Sequence, residues 1–125
     1  MSTIRANTLV DMDGVSAVTL ARQVAAKAWI NFNGTSTIAT RASFNVASIT
    51  DNGTGDYGVT FTTAMIDNSY SITTSANHGR TDVREPCYCG HLWTGDITSS
   101  AIRIATGQGG FGYADSSIVS VAIHR

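Results

Sequence analysis

Charged residues, cysteine and proline are all scarce in this chain. Only 14% of the residues are charged, against about 25% in an average globular domain, and the formal net charge is -1. Because the eight Lys and Arg residues are scattered, no strong positive field attracts DNA, RNA or an anionic membrane. The composition therefore argues against nucleic acid as a partner.

Long apolar runs are also missing. No segment approaches the roughly 20 apolar residues needed to cross a bilayer, and the first residues lack a basic stretch followed by an apolar core. We therefore expect no membrane insertion, and we expect the chain to be made in the cytoplasm and to stay soluble. At 125 residues, a single hydrophobic core is expected.

The only two cysteines are Cys87 and Cys89, which one residue separates. Such a pair cannot form the spread framework of a disulfide-stapled domain. With His91 and His78 the pair could offer four soft ligands to zinc, but zinc sites usually space paired cysteines by two to four residues. We interpret both as reduced, small apolar side chains with no metal or cofactor, and the metal alternative stays open.

Alternation of apolar and polar residues is the main structural signal from residue 28 onward. Apolar side chains recur with period two, which is typical of half-buried strands, and Ser, Thr and Gly are abundant. The pattern predicts an antiparallel β-sandwich over residues 28–125. The inward-facing residues are expected to be Ala28, Ile30, Phe32, Tyr57, Val59, Phe61, Tyr70, Ile72, Ile102, Ile104, Val119, Val121 and Ile123.

Turn residues stand where these alternating runs stop. Asn33-Gly34, Asn52-Gly53 and Gly55-Asp56 all tolerate a positive φ, and the last two predict a hairpin between residues 46–50 and 57–61. The preceding residues 1–27 show only weak helical spacing, near residues 17–26. We interpret them as an N-terminal arm for oligomerisation or attachment, because so short a segment has no core of its own.

No catalytic motif emerges from the remaining residues, so we expect no enzyme activity. Ser, His and Asp occur without the local context of a catalytic triad, and no pair of carboxylates is singled out. We interpret residues 51–56 as a hairpin turn rather than a calcium-binding loop. We interpret residues 106–113 as a flexible loop rather than a phosphate-binding loop. Exposed aromatic residues outside the clearest strands are common binding anchors, so the candidate receptor-binding residues are Tyr88, Trp93, Phe111 and Tyr113.

Several segments resemble a known family. These are STIRANTL (residues 2–9), KAWINFNGT (27–35), ASFNVASITDNGTGDY (42–57) and FTTAM (61–65). They resemble the small tail-fibre, or receptor-binding, proteins of tailed bacteriophages. Residues 66–125 depart from that pattern.

The resemblance implies a homotrimer in the virion tail, assembled in the host cytoplasm. An N-terminal arm would attach to other tail or baseplate proteins, and a β-rich knob would contact a polysaccharide or an outer-membrane protein of the host. A capsid decoration protein, or another virion structural protein without a receptor, is the alternative. A polysaccharide depolymerase is a third hypothesis, but it would require the clustered carboxylates that the sequence lacks.

Overall fold

The computed structural model of the chain describes residues 25–77, 87–91, 94–110 and 112–125. Within these ranges the chain forms β-strands and one short 3₁₀ turn at Thr94–Asp96. None of the helical structure in these ranges is long and apolar enough to cross a membrane. The strands are β1 (Ala26–Asn33), β2 (Ala39–Phe44), β3 (Val46–Gly53), β4 (Asp56–Phe61), β5 (Ser71–Ala76), β6 (Cys87–Gly90), β7 (Ala101–Gln108), β8 (Gly112–Tyr113) and β9 (Val119–His124).

The strands form two antiparallel sheets that pack face to face. The first sheet has the order β2-β1-β9-β5, and the second has the order β3-β4-β7-β6, with β8 also paired to β7. The predicted all-β sandwich is therefore confirmed. The predicted hairpin is also confirmed, since β3 and β4 pair from Val46 opposite Phe61 to Gly53 opposite Asp56.

The core lies between the two sheets and is built from the alternating residues of β1, β4, β7 and β9. Two edge-to-face aromatic contacts tie the layers together: Phe32 meets Tyr57 at 5.1 Å, and Phe61 meets Tyr70 at 6.0 Å between ring centroids. Such pairs add about 1 kcal/mol each beyond the apolar area they bury. All but one of the residues expected to face inward are buried, and Ile72 is half-buried against the core.

The sandwich has two distinct ends, which we call the base and the tip. The base carries Ala25, Asn45, the segment 62–65 after β4, and Arg125. The tip carries Gly34, the β3–β4 turn and the β7–β8 hairpin. An eight-residue strand such as β1 rises about 26 Å, which sets the distance between the two ends.

The turn glycines behave as expected at one position and differently at another. In the β3–β4 turn, Gly53 has φ 131° and Gly55 has φ 65°, values that L side chains rarely adopt. Gly34 follows the end of β1, where the sequence predicts a stop, but it does not adopt the positive φ that glycine tolerates. It is needed for space instead, because a Cβ there would lie 2.7 Å from Cζ of Tyr57.

Two further predictions concern regions at the margins of the described residues. The N-terminal arm and its short helix lie almost wholly outside those residues, and β1 already begins at Ala26.

The prediction of a flexible loop over residues 106–113 is wrong at both ends. Thr106 to Gln108 belong to β7 and Gly112–Tyr113 form β8, because the glycines let two strands approach closely around a tight turn.

Candidate functional site

Two of the four aromatic residues singled out in the sequence are described by the structure. Tyr88 lies in β6 and is 39% exposed, and Tyr113 lies in β8 and is 51% exposed. Both therefore sit on strands rather than on the loops expected from the sequence. Trp93 and Phe111 lie outside the described residues.

Tyr88 and Tyr113 belong to one cross-strand row at the tip. Tyr88 is directly opposite Gly107 in the β6–β7 pair, and Gly107 is directly opposite Tyr113 in the β7–β8 pair. Directly opposed residues of antiparallel strands project to the same face of the sheet. With strands about 4.8 Å apart, the backbones of the two tyrosines are about 10 Å apart, and both residues belong to the outer face of the second sheet.

Gly107 at the centre of this row is required by the position of Tyr88. A Cβ at residue 107 would overlap the phenol group of Tyr88, and it would lie 2.5 Å from the carbonyl oxygen of Gly112. The ring of Tyr88 therefore lies across the glycine backbone. This contact fixes the ring orientation while 39% of the residue remains exposed.

An ion pair lies beside the tyrosine row on the same face of the sheet. Arg103 stands four residues before Gly107 on β7, so both project to the outer face. Its Nε donates to Oδ1 of Asp56 at 2.8 Å and its Nη2 donates to Oδ2, which is a bidentate geometry. Hydrogen bonding from Arg103 holds the pKa of Asp56 below its usual range, and the same hydrogen bond raises the pKa of Arg103.

We call Tyr88, Gly107, Tyr113, Arg103 and Asp56 the tip face. The Arg103 side chain remains 52% exposed and the Asp56 side chain 21% exposed, so donors and acceptors of the ion pair are accessible. The tip face thus combines two exposed phenol rings, of which that of Tyr88 lies across Gly107, with a charge-balanced ion pair. Aromatic rings that stack, together with a few oriented polar groups, are the usual components of a site for a polar ligand with apolar faces, such as a sugar.

A buried polar junction beneath the tip face holds its strands in place. Tyr57 is fully buried, and its hydroxyl lies 3.0 Å from both the carbonyl oxygen of Gly34 and Oδ1 of Asp115. The same Asp115 oxygen accepts from the backbone N–H of Gly55 at 2.7 Å. Burial, followed by the bond to Asp115, raises the pKa of Tyr57 to about 12, so the phenol stays protonated at neutral pH.

Thr106 completes this junction from β7. Its backbone N–H donates to the carbonyl oxygen of Gly55 at 2.8 Å, and its hydroxyl donates to the carbonyl oxygen of Ala114 at 2.7 Å. The N–H of Ala114 donates back to the carbonyl oxygen of Thr106 at 3.1 Å. These bonds fix the residues that adjoin Asp56 and Tyr113, so the tip face rests on a hydrogen-bonded support.

The thiols of Cys87 and Cys89 are both free, and each cysteine is half-buried. The thiol of Cys87 donates to the carbonyl oxygen of Ala76 at 2.8 Å, and burial raises the pKa of Cys89. His91 follows the strand, and His78 lies outside the described residues. In the part of the chain that the structure describes, no three His, Cys, Asp or Glu side chains form a group suited to a metal ion.

The sequence reasoning missed the ion pair of the tip face. The sequence predicts Asp56 as a turn residue, and Arg103 stands between the inward-facing residues Ile102 and Ile104. The alternation did place Arg103 on the outer face, opposite Gly58, which leaves room for its long side chain. No local signal identifies Asp56 as its partner, because 46 residues separate the two in the chain.

Comparisons with protein-family models, with curated proteins and with solved structures found no match to this chain.

Proposed function

We propose that this chain is a tail-fibre protein of a tailed bacteriophage that attaches the virion to the host bacterium. In this proposal three copies assemble as a homotrimer in the virion tail. The N-terminal segment contacts other tail or baseplate proteins, and the tip face contacts the host surface. The function is binding, without catalysis and without a cofactor.

The observation that carries this proposal is that the chain enters the domain at one end, whereas the tip face lies at the other end. The chain enters the sandwich at Ala25, at the base, whereas Tyr88 and Tyr113 are exposed at the tip. About 26 Å of β-strand separates the two ends. An attachment protein needs this arrangement, because the segment held by the virion and the surface that meets the receptor must not compete for the same space.

The composition of the tip face favours a polysaccharide over an outer-membrane protein as the receptor. The exposed rings of Tyr88 and Tyr113 can stack on the apolar faces of sugar rings. The Arg103–Asp56 pair can exchange hydrogen bonds with sugar hydroxyl groups and carries no net charge. A neutral surface rich in hydroxyl groups suits a neutral polymer.

Binding of the fluorescently labelled chain to bacterial cells tests this proposal. A panel of strains first identifies one that is bound, and Tyr88→Ala and Tyr113→Ala are then compared with the unmodified chain. Anchoring aromatic residues typically contribute about 2 kcal/mol or more, so each substitution should weaken binding by tenfold or more. Trp29→Ala is the matched control, because Trp29 is also 39% exposed but lies on the first sheet.

Two outcomes would contradict the proposal. If Trp29→Ala weakens cell binding as much as the tyrosine variants do, the tip face is not the receptor site. The second outcome is that the chain is incorporated into virions but does not bind the strains that those virions infect. The capsid decoration alternative is then favoured.

A further inference from the structure

Two asparagines of the described strands are directly followed by glycine. Asn33 ends β1 before Gly34, and Asn52 stands before Gly53 at the end of β3. In such a pair the backbone nitrogen of the glycine can attack Cγ of the asparagine side chain, which closes a succinimide ring and releases ammonia. Glycine has no side chain to hinder this ring closure. Because both pairs have the same two residues, the fold decides which of them reacts faster.

The fold holds Asn33 in an unreactive arrangement. Its Nδ2 donates to the carbonyl oxygen of Thr35 at 3.0 Å, and its Oδ1 accepts from the hydroxyl of Thr35 at 2.8 Å. The attacking nitrogen is engaged as well, because the N–H of buried Gly34 donates to the carbonyl oxygen of Ser116 at 2.9 Å. Ring closure at Asn33 therefore requires these hydrogen bonds to open first.

Asn52 lies in a more open arrangement at the tip. The β3–β4 ladder skips it, since the residues on either side have partners in β4 and Asn52 is the extra residue of a β-bulge. Asn52 and Gly53 are both exposed, and a Cβ added at Gly53 would meet no heavy atom within 4 Å. Water and space for the ring are therefore both available here.

A carboxylate lies beside the nitrogen that must react. The N–H of Gly53 donates to Oδ1 of Asp51 at 2.9 Å. The nitrogen becomes a nucleophile only as it loses its proton, and a carboxylate is an acceptor for that proton. The segment from Asp51 to Gly53 thus places an acceptor, an amide and an unhindered nitrogen next to one another.

We propose that Asn52 is a site of spontaneous deamidation and that the fold protects Asn33. The nitrogen of Gly53 forms a bond to Cγ of Asn52, the bond from Cγ to Nδ2 breaks, and Nδ2 leaves as ammonia with the proton of the attacking nitrogen. Water then opens the ring. Its oxygen bonds to one ring carbonyl carbon, the bond from that carbon to the Gly53 nitrogen breaks, and the nitrogen regains a proton. The product is aspartate or isoaspartate, depending on which carbonyl carbon the water attacks.

This modification changes the charge of the tip face. In the unmodified chain the side chain of Asn52 donates a hydrogen bond to the carboxylate of Asp56. Deamidation replaces that donor with a second carboxylate, which repels the first and competes with it for Arg103. The balanced ion pair thereby becomes part of a negatively charged group. The reaction itself does not depend on receptor binding.

Peptide mapping of the full-length chain tests this proposal. The folded chain is incubated in mildly alkaline buffer, sampled over time and digested with trypsin, which separates the two sites into peptides of residues 28–41 and 42–80. Mass spectrometry with fragmentation then locates each conversion of an amide to a carboxyl group. A parallel incubation in concentrated urea is the matched control, because neither site is then held by the fold. Asn52→Gln is a second control, since its longer side chain closes such a ring far more slowly.

In the folded chain, Asn52 should be converted at least about tenfold faster than Asn33, because hydrogen bonds must open before Asn33 reacts. In urea the two rates should be similar. On anion exchange the unmodified chain should form an early acidic species that the Asn52→Gln variant does not form. Equal rates in the folded chain, a faster rate at Asn33, no conversion at Asn52, or a preference of the same size in urea would each overturn the proposal.

Discussion

The substitution Gly34→Ala tests the buried polar junction beneath the tip face most directly, because it adds a methyl group beside Tyr57. A Cβ there would overlap the hydroxyl of Tyr57, and it would lie 2.7 Å from Cζ of that ring and 3.0 Å from the carbonyl oxygen of Ser116. Tyr57 has no room to withdraw. It is fully buried, and its ring meets Phe32 edge to face at 5.1 Å.

The cost of Gly34→Ala follows from two effects. Overpacking a well-filled interior typically costs about 1–3 kcal/mol. If the hydroxyl of Tyr57 is displaced, the buried carbonyl oxygen of Gly34 loses its hydrogen bond, which costs about 1–3 kcal/mol more. We therefore expect a loss of about 3 kcal/mol in the free energy of unfolding, or a fall of about 10 °C in Tm for a domain of this size.

Urea denaturation followed by fluorescence measures this change, with Gly90→Ala as the control. A Cβ at Gly90 would meet no heavy atom within 4 Å, so that variant should stay within about 0.5 kcal/mol of the unmodified chain. Combining Gly34→Ala with Tyr57→Phe removes the overlapping hydroxyl, and the double variant should be about 1 kcal/mol more stable than the sum of the single effects predicts. If Gly34→Ala costs no more than Gly90→Ala, the junction does not have the geometry described here.

Three further predictions concern stability. Phe61→Ala should cost about 3–5 kcal/mol in chemical denaturation, because Phe61 is only 5% exposed; a cost below about 1 kcal/mol would contradict its inward orientation. The pKa of Tyr57 is raised to about 12 in the folded chain against about 10 in the unfolded chain, so its contribution to stability is complete below pH 10 and is lost as the pH rises towards 12. A pKa difference of about two units corresponds to a loss of about 3 kcal/mol, and Tyr57→Phe should remove that part of the alkaline decline in a pH series of unfolding curves. Asn45→Ala should lower the free energy of unfolding, measured by differential scanning calorimetry, by about 2 kcal/mol. Asn45→Gly should lower it by less, because both variants lose the side-chain hydrogen bonds but glycine tolerates the positive φ of residue 45. Equal losses would show that the backbone conformation contributes nothing.

The strand faces could be predicted from sequence because burial imposes period two directly on the residues. The alternation in residues 28–32 and 119–123 identified the inward side chains of β1 and β9, which pair in the centre of the first sheet. The β3–β4 hairpin was also accessible, because Gly53 and Gly55 mark its turn in the sequence. These features are encoded by residues close together in the chain.

The tip face could be predicted only in part, because it depends on register between distant strands. The sequence identified Tyr88 and Tyr113 as exposed aromatics, but their alignment on either side of Gly107 depends on which residues of β6, β7 and β8 face each other. The contact between Gly34 and Tyr57, which is 23 residues away, also depends on long-range pairing, so the sequence alone does not predict it. Local pattern specifies which face a residue occupies, whereas long-range pairing determines its neighbours.

The solution mass of the full-length chain, measured by light scattering coupled to size exclusion, tests the tail-fibre proposal most directly. Closed homotrimeric assembly is the property on which that proposal depends, and it does not require the host to be known. The account predicts a particle of three times 13.1 kDa that stays constant on dilution through the micromolar range. A monomer of 13.1 kDa at every concentration would contradict the account and leave a single β-sandwich binding domain.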